Sequence, residues 1–214
     1  SITRLLTDRG EYRQMLEFLS TYVTRLNDPH LQVTTLYRMG ELCEGPLGDQ
    51  EGARTHFEAI LDTAPGYLPA LEGLERVYTR LEAWDALAAV YEQRALLCEE
   101  PSGIALQLHR AGAICEFRLG EHSRARDFYC RALAQVADFP PSLDAFARIL
   151  EAEGDWAQLA RVLSAAAKVT RDSNEVVSLT YRAARILADL VDDPARAVAS
   201  LARCLELQPG PLPA

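Results

Sequence analysis

A stretch of nine residues recurs in this sequence, and its two best copies contain a glutamate, a cysteine and either a tyrosine or a histidine. It reads LYRMGELCE at Leu36–Glu44 and LHRAGAICE at Leu108–Glu116. A weaker copy, TYRAARILA, occupies Thr180–Ala188, so the copies start at positions 36, 108 and 180, with a regular period of 72. A thiol close to an imidazole or a carboxylate is a common starting point for nucleophilic catalysis or metal binding. The stretch is therefore the first candidate for chemistry.

The rest of the sequence does not supply the partners that such chemistry needs. No two histidines stand at metal-ligand spacing on one helix face, and H-E-x-x-H does not occur. The sequence also has no G-x-S-x-G, no P-loop and no G-x-G-x-x-G. We therefore expect no enzymatic activity, no cofactor and no metal site.

The cysteines are better explained as packing residues. They are five in number and scattered, without a C-x-x-C pair: Cys43, Cys98, Cys115, Cys130 and Cys204. Cys43 and Cys115 occupy the same place in two copies of the stretch, and a free cysteine usually behaves as a small buried side chain. We interpret all five as core residues, which fits a reducing compartment and predicts a cytoplasmic location.

Composition narrows the classes of partner. The formal net charge is −9, and 25 % of the residues are charged. A protein that follows a nucleic-acid backbone needs a clustered positive surface, so nucleic acid is not an expected partner. No apolar run approaches the length of about 18 residues that a membrane-spanning helix requires, so membrane insertion is not expected either.

Apolar residues recur at spacings of three and four throughout the chain, which predicts an all-α protein. The second helices align at one equivalent position, and the steps between its successive members are 38, 34, 38, 34 and 38: Met15, Ala53, Leu87, Ala125, Leu159 and Ala197. Each period therefore contains two helical hairpins, one longer than the other. The longer hairpin has one extra residue between its helices and three more ahead of it, where loops or helix ends can absorb them.

In this register the sequence resembles the tetratricopeptide repeat, whose 34-residue unit follows W-x2-L-G-x2-Y…A-x3-F…P. One copy of that pattern is Leu36, Met39, Gly40, Cys43, Ala53, Phe57 and Pro65. Another is Leu108, Gly112, Cys115, Ala125, Tyr129 and Ala132. Glu75 departs from the pattern, because it stands where a small residue is usual. The resemblance covers nearly the whole chain.

The resemblance implies a right-handed solenoid of antiparallel helical hairpins, with about five and a half repeats in a single domain over residues 1–214. The predicted hairpins are residues 1–26, 29–64, 67–99, 102–137, 140–170 and 174–208. Gly40, Gly112 and Ala184 are expected where two helices cross closely. Ile2–Leu6 is predicted to be the remainder of a first helix and residues 208–214 a tail. We expect a fragment of a longer protein, or ends that stack on another molecule, including end-to-end self-association.

Two tryptophans and a tyrosine are candidates of another kind. Trp84 and Trp156 are separated by one period, Tyr12 lies one period before Trp84, and each opens a second helix. Packing at the hairpin turn is the favoured interpretation, with ligand stacking as the alternative.

The family uses one face of its first helices as a concave binding groove, and the resemblance carries ten residues onto that face. They are Tyr37, Glu41, Glu72, Arg76, His109, Phe117, Asp144, Arg148, Tyr181 and Arg185. Arginine and tyrosine suit recognition of a protein or peptide, because they combine hydrogen bonding with contact area. Two alternatives stay open: these residues are solvated faces with internal ion pairs, or His109 is an ordinary solvated histidine. The predicted function is a protein-interaction scaffold, and the alternative is a ligand-responsive regulatory module within a larger protein.

Overall fold

The computed structural model describes residues 10–207, and in that range the chain consists of eleven α-helices and the turns between them. The helices are α1 (Tyr12–Val23), α2 (Pro29–Glu44), α3 (Gln50–Thr63), α4 (Leu68–Arg80), α5 (Trp84–Leu97), α6 (Pro101–Ile114), α7 (His122–Gln135), α8 (Pro140–Glu153), α9 (Trp156–Val169), α10 (Ser173–Asp189) and α11 (Pro194–Leu207). No strand occurs between residues 10 and 207, so the all-α prediction is confirmed. The predictions for Ile2–Leu6 and for residues 208–214 lie outside the described residues.

The chain divides into two compact units, Ser1–Leu97 (unit 1) and Cys98–Ala214 (unit 2). Within unit 1, each helix from α1 to α5 packs against the next, and α2 also contacts α4. Within unit 2, each helix from α6 to α11 likewise packs against the next. Both units are therefore series of antiparallel hairpins, while the single domain predicted over residues 1–214 stays a prediction.

Proline and aspartate mark the helix starts, as the sequence predicts. Pro29 opens α2, and the Asp28 carboxylate accepts a hydrogen bond from the His30 N–H at 2.9 Å. Asp49 accepts from the Gly52 N–H at the start of α3, also at 2.9 Å. Such a cap satisfies one otherwise unpaired helix N–H and typically contributes about 1 kcal/mol. Most of the described helices begin in one of these two ways, whereas α1 and α7 have neither a proline in the first turn nor a side-chain cap bond.

Most of the difference between the longer and the shorter hairpins comes from the length of their first helices. In the longer hairpins, α2 starts seven residues before Leu36 and α6 starts seven before Leu108. In the shorter hairpins, α4 starts three residues before Leu71 and α8 three before Leu143. One helical turn is about 3.6 residues, so the additional residues extend the first helix by roughly one turn at its N-terminus. They are taken up by a helix end and not by a loop.

The single residue added between the helices of each longer hairpin is taken up at the end of the first helix. In unit 2, Cys115–Leu119 continue α6 as one turn of π-helix. The same wide turn ends α2, where the Leu47 N–H bonds the Leu42 carbonyl at 3.1 Å. It also ends α10, where the Val191 N–H bonds the Ile186 carbonyl at 3.1 Å. The shorter hairpins also end their first helices with a five-residue bond, from the Ala83 N–H to the Tyr78 carbonyl and from the Asp155 N–H to the Leu150 carbonyl, both at 2.9 Å. The longer hairpins close the equivalent turn with a six-residue bond, from the Asp49 N–H to the Cys43 carbonyl and from the Glu121 N–H to the Cys115 carbonyl, both at 2.8 Å. The extra residue therefore lies inside this turn.

An aromatic ring fills each close helix crossing that the sequence assigned to glycine. Phe57 of α3 is fully buried and lies against Gly40 of α2 and Gly73 of α4. A Cβ atom on Gly73 would lie 2.7 Å from Phe57 Cε2. In unit 2, a Cβ atom on Gly112 of α6 would lie 2.7 Å from Cε1 of the buried Tyr129. These glycines are needed because any side chain would overlap the ring.

The other packing predictions are confirmed in part. Cys43, Cys115 and Cys204 are buried, as is Ala184 at the matching place of α10. Cys98 is only partly buried, and Leu36, assigned to the packing seam, is half-buried. The interpretation of every cysteine as a core residue is wrong for Cys130, because that residue is exposed on the solvent face of α7.

Candidate interaction surface of the first helices

In unit 1, four of the predicted groove residues lie together on α2 and α4. Tyr37 is half-buried, with its ring centroid 5.7 Å from that of Phe57 and 6.0 Å from that of Tyr67. Burial, and then the nearby carboxylate of Glu41, raise the pKa of the Tyr37 phenol. Glu72 acts on the same phenol from α4, and both carboxylates are exposed. The tyrosine is thus partly a packing residue, and the two acids are the exposed groups beside it.

Arg76, the fourth of these residues, is held by a glutamate that the groove prediction did not include. Arg76 Nε donates to Glu44 Oε1 at 2.8 Å, and Nη2 donates to Oε2 at 2.7 Å. Arg80 adds a third bond to Glu44 Oε1 at 2.9 Å. The Glu44 side chain is only 10 % exposed, whereas Arg76 remains 45 % exposed. The hydrogen bond from Arg76 is the main reason that the pKa of Glu44 is lowered.

Unit 2 repeats this arrangement in its equivalent helices. Arg148 of α8 donates from Nη2 to Glu116 Oε1 at 2.7 Å; Glu116 is 7 % exposed and Arg148 is 56 % exposed. The buried Tyr129 hydroxyl donates to Glu116 Oε2 at 2.8 Å. Next to the pair, Phe117 is 66 % exposed, and the Arg148 guanidinium carbon lies 5.5 Å from its ring centroid. Unit 2 therefore presents an exposed aromatic ring and a guanidinium side by side.

His109 takes the place of Tyr37 in unit 2 and packs in the same way. Its ring centroid lies 5.4 Å from that of Tyr129 and 6.1 Å from that of Phe139. Its Nδ1 is 3.2 Å from the hydroxyl oxygen of the buried Ser142. Burial lowers the pKa of His109, which favours the neutral imidazole. The half-buried ring is an interhelical packing group, which neither alternative for His109 had named.

The remaining predicted residues lie on α8 and α10. Asp144 is exposed on α8. Tyr181 and Arg185 lie on α10 and line a pocket of about 370 Å³ with Trp156 of α9 and Glu151 of α8. A second pocket, of about 480 Å³, lies beside the Arg148–Glu116 pair and is walled by Ile149 and Ala152. Three of the predicted residues of unit 2 thus line two concavities: Arg148, Tyr181 and Arg185.

Sequence reasoning missed the two buried glutamates, although a signal for them existed. Glu44 and Glu116 are the last residues of the two best copies of the nine-residue stretch. Their arginine partners follow 32 residues later in both cases. The alternative that the groove residues form internal ion pairs therefore holds for Arg76 and Arg148. Each of these arginines is paired with a glutamate, and about half of its side chain is still exposed.

Glu75, the departure from the repeat pattern, is likewise explained by partners across the hairpin. Its carboxylate accepts a hydrogen bond from Tyr91 Oη at 2.9 Å and pairs with Arg94. Both partners lie on α5, so a charged group replaces the usual small residue by joining α4 to α5.

The described helices carry neither a metal-binding cluster nor a membrane span. Between residues 10 and 207, no three histidine, cysteine or acidic side chains are grouped so that they could hold a metal ion. Over the same range, no helix combines the length and the apolar character needed to cross a membrane.

Comparison with known proteins finds one family. Residues 70–105 match the family model described as tetratricopeptide repeat. No curated protein sequence matches the chain. Solved structures with a similar arrangement include MamA, at 15 % identity, covering 83 % of this chain and 92 % of that one, with a TM-score of 0.44. YrrB, described as a TPR protein with an unusual peptide-binding site, is 17 % identical, covering 82 % and 86 %, with a TM-score of 0.42. PilF of Pseudomonas aeruginosa is 12 % identical, covering 99 % and 90 %, with a TM-score of 0.42.

The matched residues and the helices agree with one another. Residues 70–105 run through α4 and α5 into the start of α6, and the matched hairpin contains the Gly73 crossing and the Glu75 contacts. Repeats of this kind generally present extended surfaces on which other proteins bind. The chain therefore contains a tetratricopeptide repeat at residues 70–105, and the hairpins on either side of it are built on the same plan.

Proposed function

We propose that this chain is a protein-interaction scaffold, and that within each unit a partner segment binds along the exposed face of the first helices. In unit 1 that face is formed by α2 and α4, and in unit 2 by α6, α8 and α10. Its contact residues would be the ten that the sequence assigned to the groove. The partner would be a protein or peptide.

The observation that carries this proposal is the exposed pair of Phe117 and Arg148. Phe117 is 66 % exposed, so its apolar ring contributes little to the stability of unit 2 through burial. Aromatic and arginine side chains, however, dominate the binding energy of many interfaces. Arg148 is held in place by the buried Glu116, so little side-chain freedom remains to be lost on binding. A pre-positioned arginine beside an exposed ring is what a binding surface needs.

Arg76 supports the same function in unit 1. Two hydrogen bonds fix its guanidinium on Glu44, while nearly half of its side chain stays exposed. Glu72 lies near Arg76 and Glu41 lies near Tyr37, and both acids are exposed. This part of the surface would contribute polar contacts around the rim of the bound segment.

The test uses substitutions that leave the internal ion pairs intact. Replacing Arg76 or Arg148 by glutamate would leave a buried glutamate beside a new like charge, so lost binding could reflect lost folding. Phe117→Ser and Glu72→Lys alter only exposed side chains and should leave thermal unfolding unchanged. Arg161→Glu, an exposed position on the second helix α9, is the matched control.

Partners would be captured from cells of the source organism, and the affinity of each purified partner would then be measured by calorimetry. We expect Phe117→Ser to weaken binding about tenfold or more, as loss of an interface hot spot does. Arg161→Glu should bind like the wild type. Unchanged affinity in both Phe117→Ser and Glu72→Lys would remove this face as the binding surface. The regulatory alternative stays a prediction.

A further inference from the structure

One pocket on the surface of unit 2 has a chemistry that the proposed function does not specify. It has a volume of about 370 Å³ and is lined mainly by residues of α10, together with Glu151 of α8 and Trp156 of α9. A volume of this order is at the lower end of the range for ligand sites and suits one or two side chains of a peptide. The question is which side chains it would accept.

The pocket is rich in hydrogen-bond donors that are not used within the protein. Ser178, Tyr181 and Trp156 line it, and none of their side chains has a hydrogen-bond partner within residues 10–207. Arg185 Nε lies 3.9 Å from Asp189 Oδ2, beyond hydrogen-bonding distance. One guanidinium, two hydroxyls and an indole N–H are therefore available to an acceptor.

The acidic residues that line the pocket do not remove its preference for a hydrogen-bond acceptor. Glu151 is paired with Arg182, whose Nη2 donates to its Oε1 at 2.5 Å. Asp189 also lines the pocket and stands at ion-pair distance from Arg185, but its side chain is 64 % exposed, so solvent screens this pair and a partner carboxylate can compete for the guanidinium. Arg185 is thus the lining cation without a hydrogen-bonded acid among the described residues, and its planar fork matches a carboxylate.

The repeat explains why Tyr181 is available. In the first two copies of the nine-residue stretch, the ring at this place packs against a second ring on the following helix: Tyr37 on Phe57, and His109 on Tyr129. In the third copy the equivalent residue of the following helix is Leu201, so that aromatic contact is missing. A ring that packs in two copies lines a pocket in the third.

We propose that this pocket binds the carboxylate of an aspartate or glutamate side chain in the partner segment, with a neighbouring apolar side chain of the partner against Leu190. The carboxylate accepts from Arg185, Tyr181 and Ser178. Leu190 is 52 % exposed and supplies the apolar wall, together with Ile186 beneath it. This inference rests on the proposed function, because it assumes a bound peptide segment.

The two tryptophans of the chain give the experiment an internal reference. Trp156 lines the pocket and Trp84 lies in unit 1, so the two indole N–H signals of the ¹⁵N-labelled protein report separately. Trp84→Phe assigns them. The probes are capped Leu-Glu-Leu-Glu peptide and matched peptides with glutamine or lysine in place of glutamate. The titration is run at about 0.15 M salt, where the Debye length is about 8 Å and the net charge of −9 is largely screened.

We expect the glutamate peptide to shift the Trp156 signal saturably, in the millimolar range, and to leave Trp84 unmoved. Arg185→Gln should weaken this binding about tenfold or more, since a charge-assisted hydrogen bond is lost. Arg203→Gln, at an exposed position on α11, should have no effect. The glutamine peptide should bind at least tenfold more weakly than the glutamate peptide.

A saturable shift with the lysine peptide but not with the glutamate peptide would overturn the proposal, because the site would then select a cation. So would the absence of any saturable shift, or equal shifts of Trp84 and Trp156. These outcomes are separate from failure of the scaffold itself. If Phe117→Ser loses the partner while Arg185→Gln leaves peptide binding unchanged, the scaffold stands and only the acidic anchor falls.

Discussion

Gly112 on α6 faces the ring of Tyr129, so replacing it even by alanine should destabilise unit 2. The new Cβ atom would lie 2.7 Å from Tyr129 Cε1 and 2.9 Å from Cδ1, well inside the optimum of about 3.5–4.0 Å for two carbons. The ring is fully buried and its hydroxyl is tied to Glu116, so it cannot retreat freely. Overpacking costs about 1–3 kcal/mol, and replacing a helical glycine by alanine returns about 0.5–1 kcal/mol. We expect a net loss of about 1–2 kcal/mol.

The matched control is Gly103→Ala on the same helix. Its Cβ atom would lie 3.4 Å from Cys98 Sγ, an ordinary contact, so this variant should be as stable as the wild type or slightly more stable. Both variants would be unfolded in urea and followed by circular dichroism and by tryptophan fluorescence. Trp156 reports on unit 2, which matters if the two units unfold in separate transitions.

A double-mutant cycle locates the cause. Tyr129→Leu removes the ring, so Gly112→Ala should cost less in that background than in the wild type. Gly112→Leu should cost more than Gly112→Ala. If Gly112→Ala proves as stable as Gly103→Ala, the crossing accommodates a methyl group and the packing argument is wrong.

Three further predictions concern individual side chains. Cys130 should react with a thiol reagent in the folded protein, while Cys43 should not, even at about pH 9, because burial raises its pKa to about 11; mass spectrometry of the labelled peptides decides this. Arg94→Met should lower the free energy of unfolding by about 1–3 kcal/mol, because it removes the cation that pairs with the half-buried Glu75 carboxylate. Adding Glu75→Ala should restore part of this loss, and urea denaturation of both variants measures it. The pKa of Glu44 is lowered in the folded state, so its ionised form stabilises the fold near neutral pH, and this contribution is lost as the pH falls through that lowered pKa. The difference in urea midpoint between wild type and Glu44→Gln should therefore shrink as the pH falls below the ordinary glutamate pKa of 4.5, and a constant difference would refute the linkage.

The fold was predictable because helix packing leaves a periodic trace. Apolar spacing located the helices, and the regular period identified Gly40 and Gly112 as close crossings before any ring could be assigned to them. What the period could not tell was how the extra residues are accommodated. A longer helix and a longer loop differ by a few backbone hydrogen bonds, and no side chain in Pro101–Leu108 distinguishes the two.

The candidate surface was predictable only in part, because its geometry depends on contacts between repeats. The position of Tyr37 and His109 on a first helix was correct, but their burial comes from rings on the second helix and on the loop that follows it. The buried glutamates were visible at the end of the repeated stretch. Their role became clear only from the distance to Arg76 and Arg148, which a sequence shows as a separation along the chain and not as a contact.

The wide turn at Cys115–Leu119 has a consequence for how such a chain can grow. One residue inserted into an ordinary α-helix rotates everything after it by about 100° and would turn a packed face into solvent. A π turn confines that rotation to the turn itself. Hairpins whose turns are closed by six-residue bonds and hairpins whose turns are closed by five-residue bonds are then not interchangeable. A duplication of one hairpin would place two of the same kind in succession. The unit whose duplication preserves the alternation is the pair of unlike hairpins. An engineered array should therefore be lengthened or shortened by whole pairs.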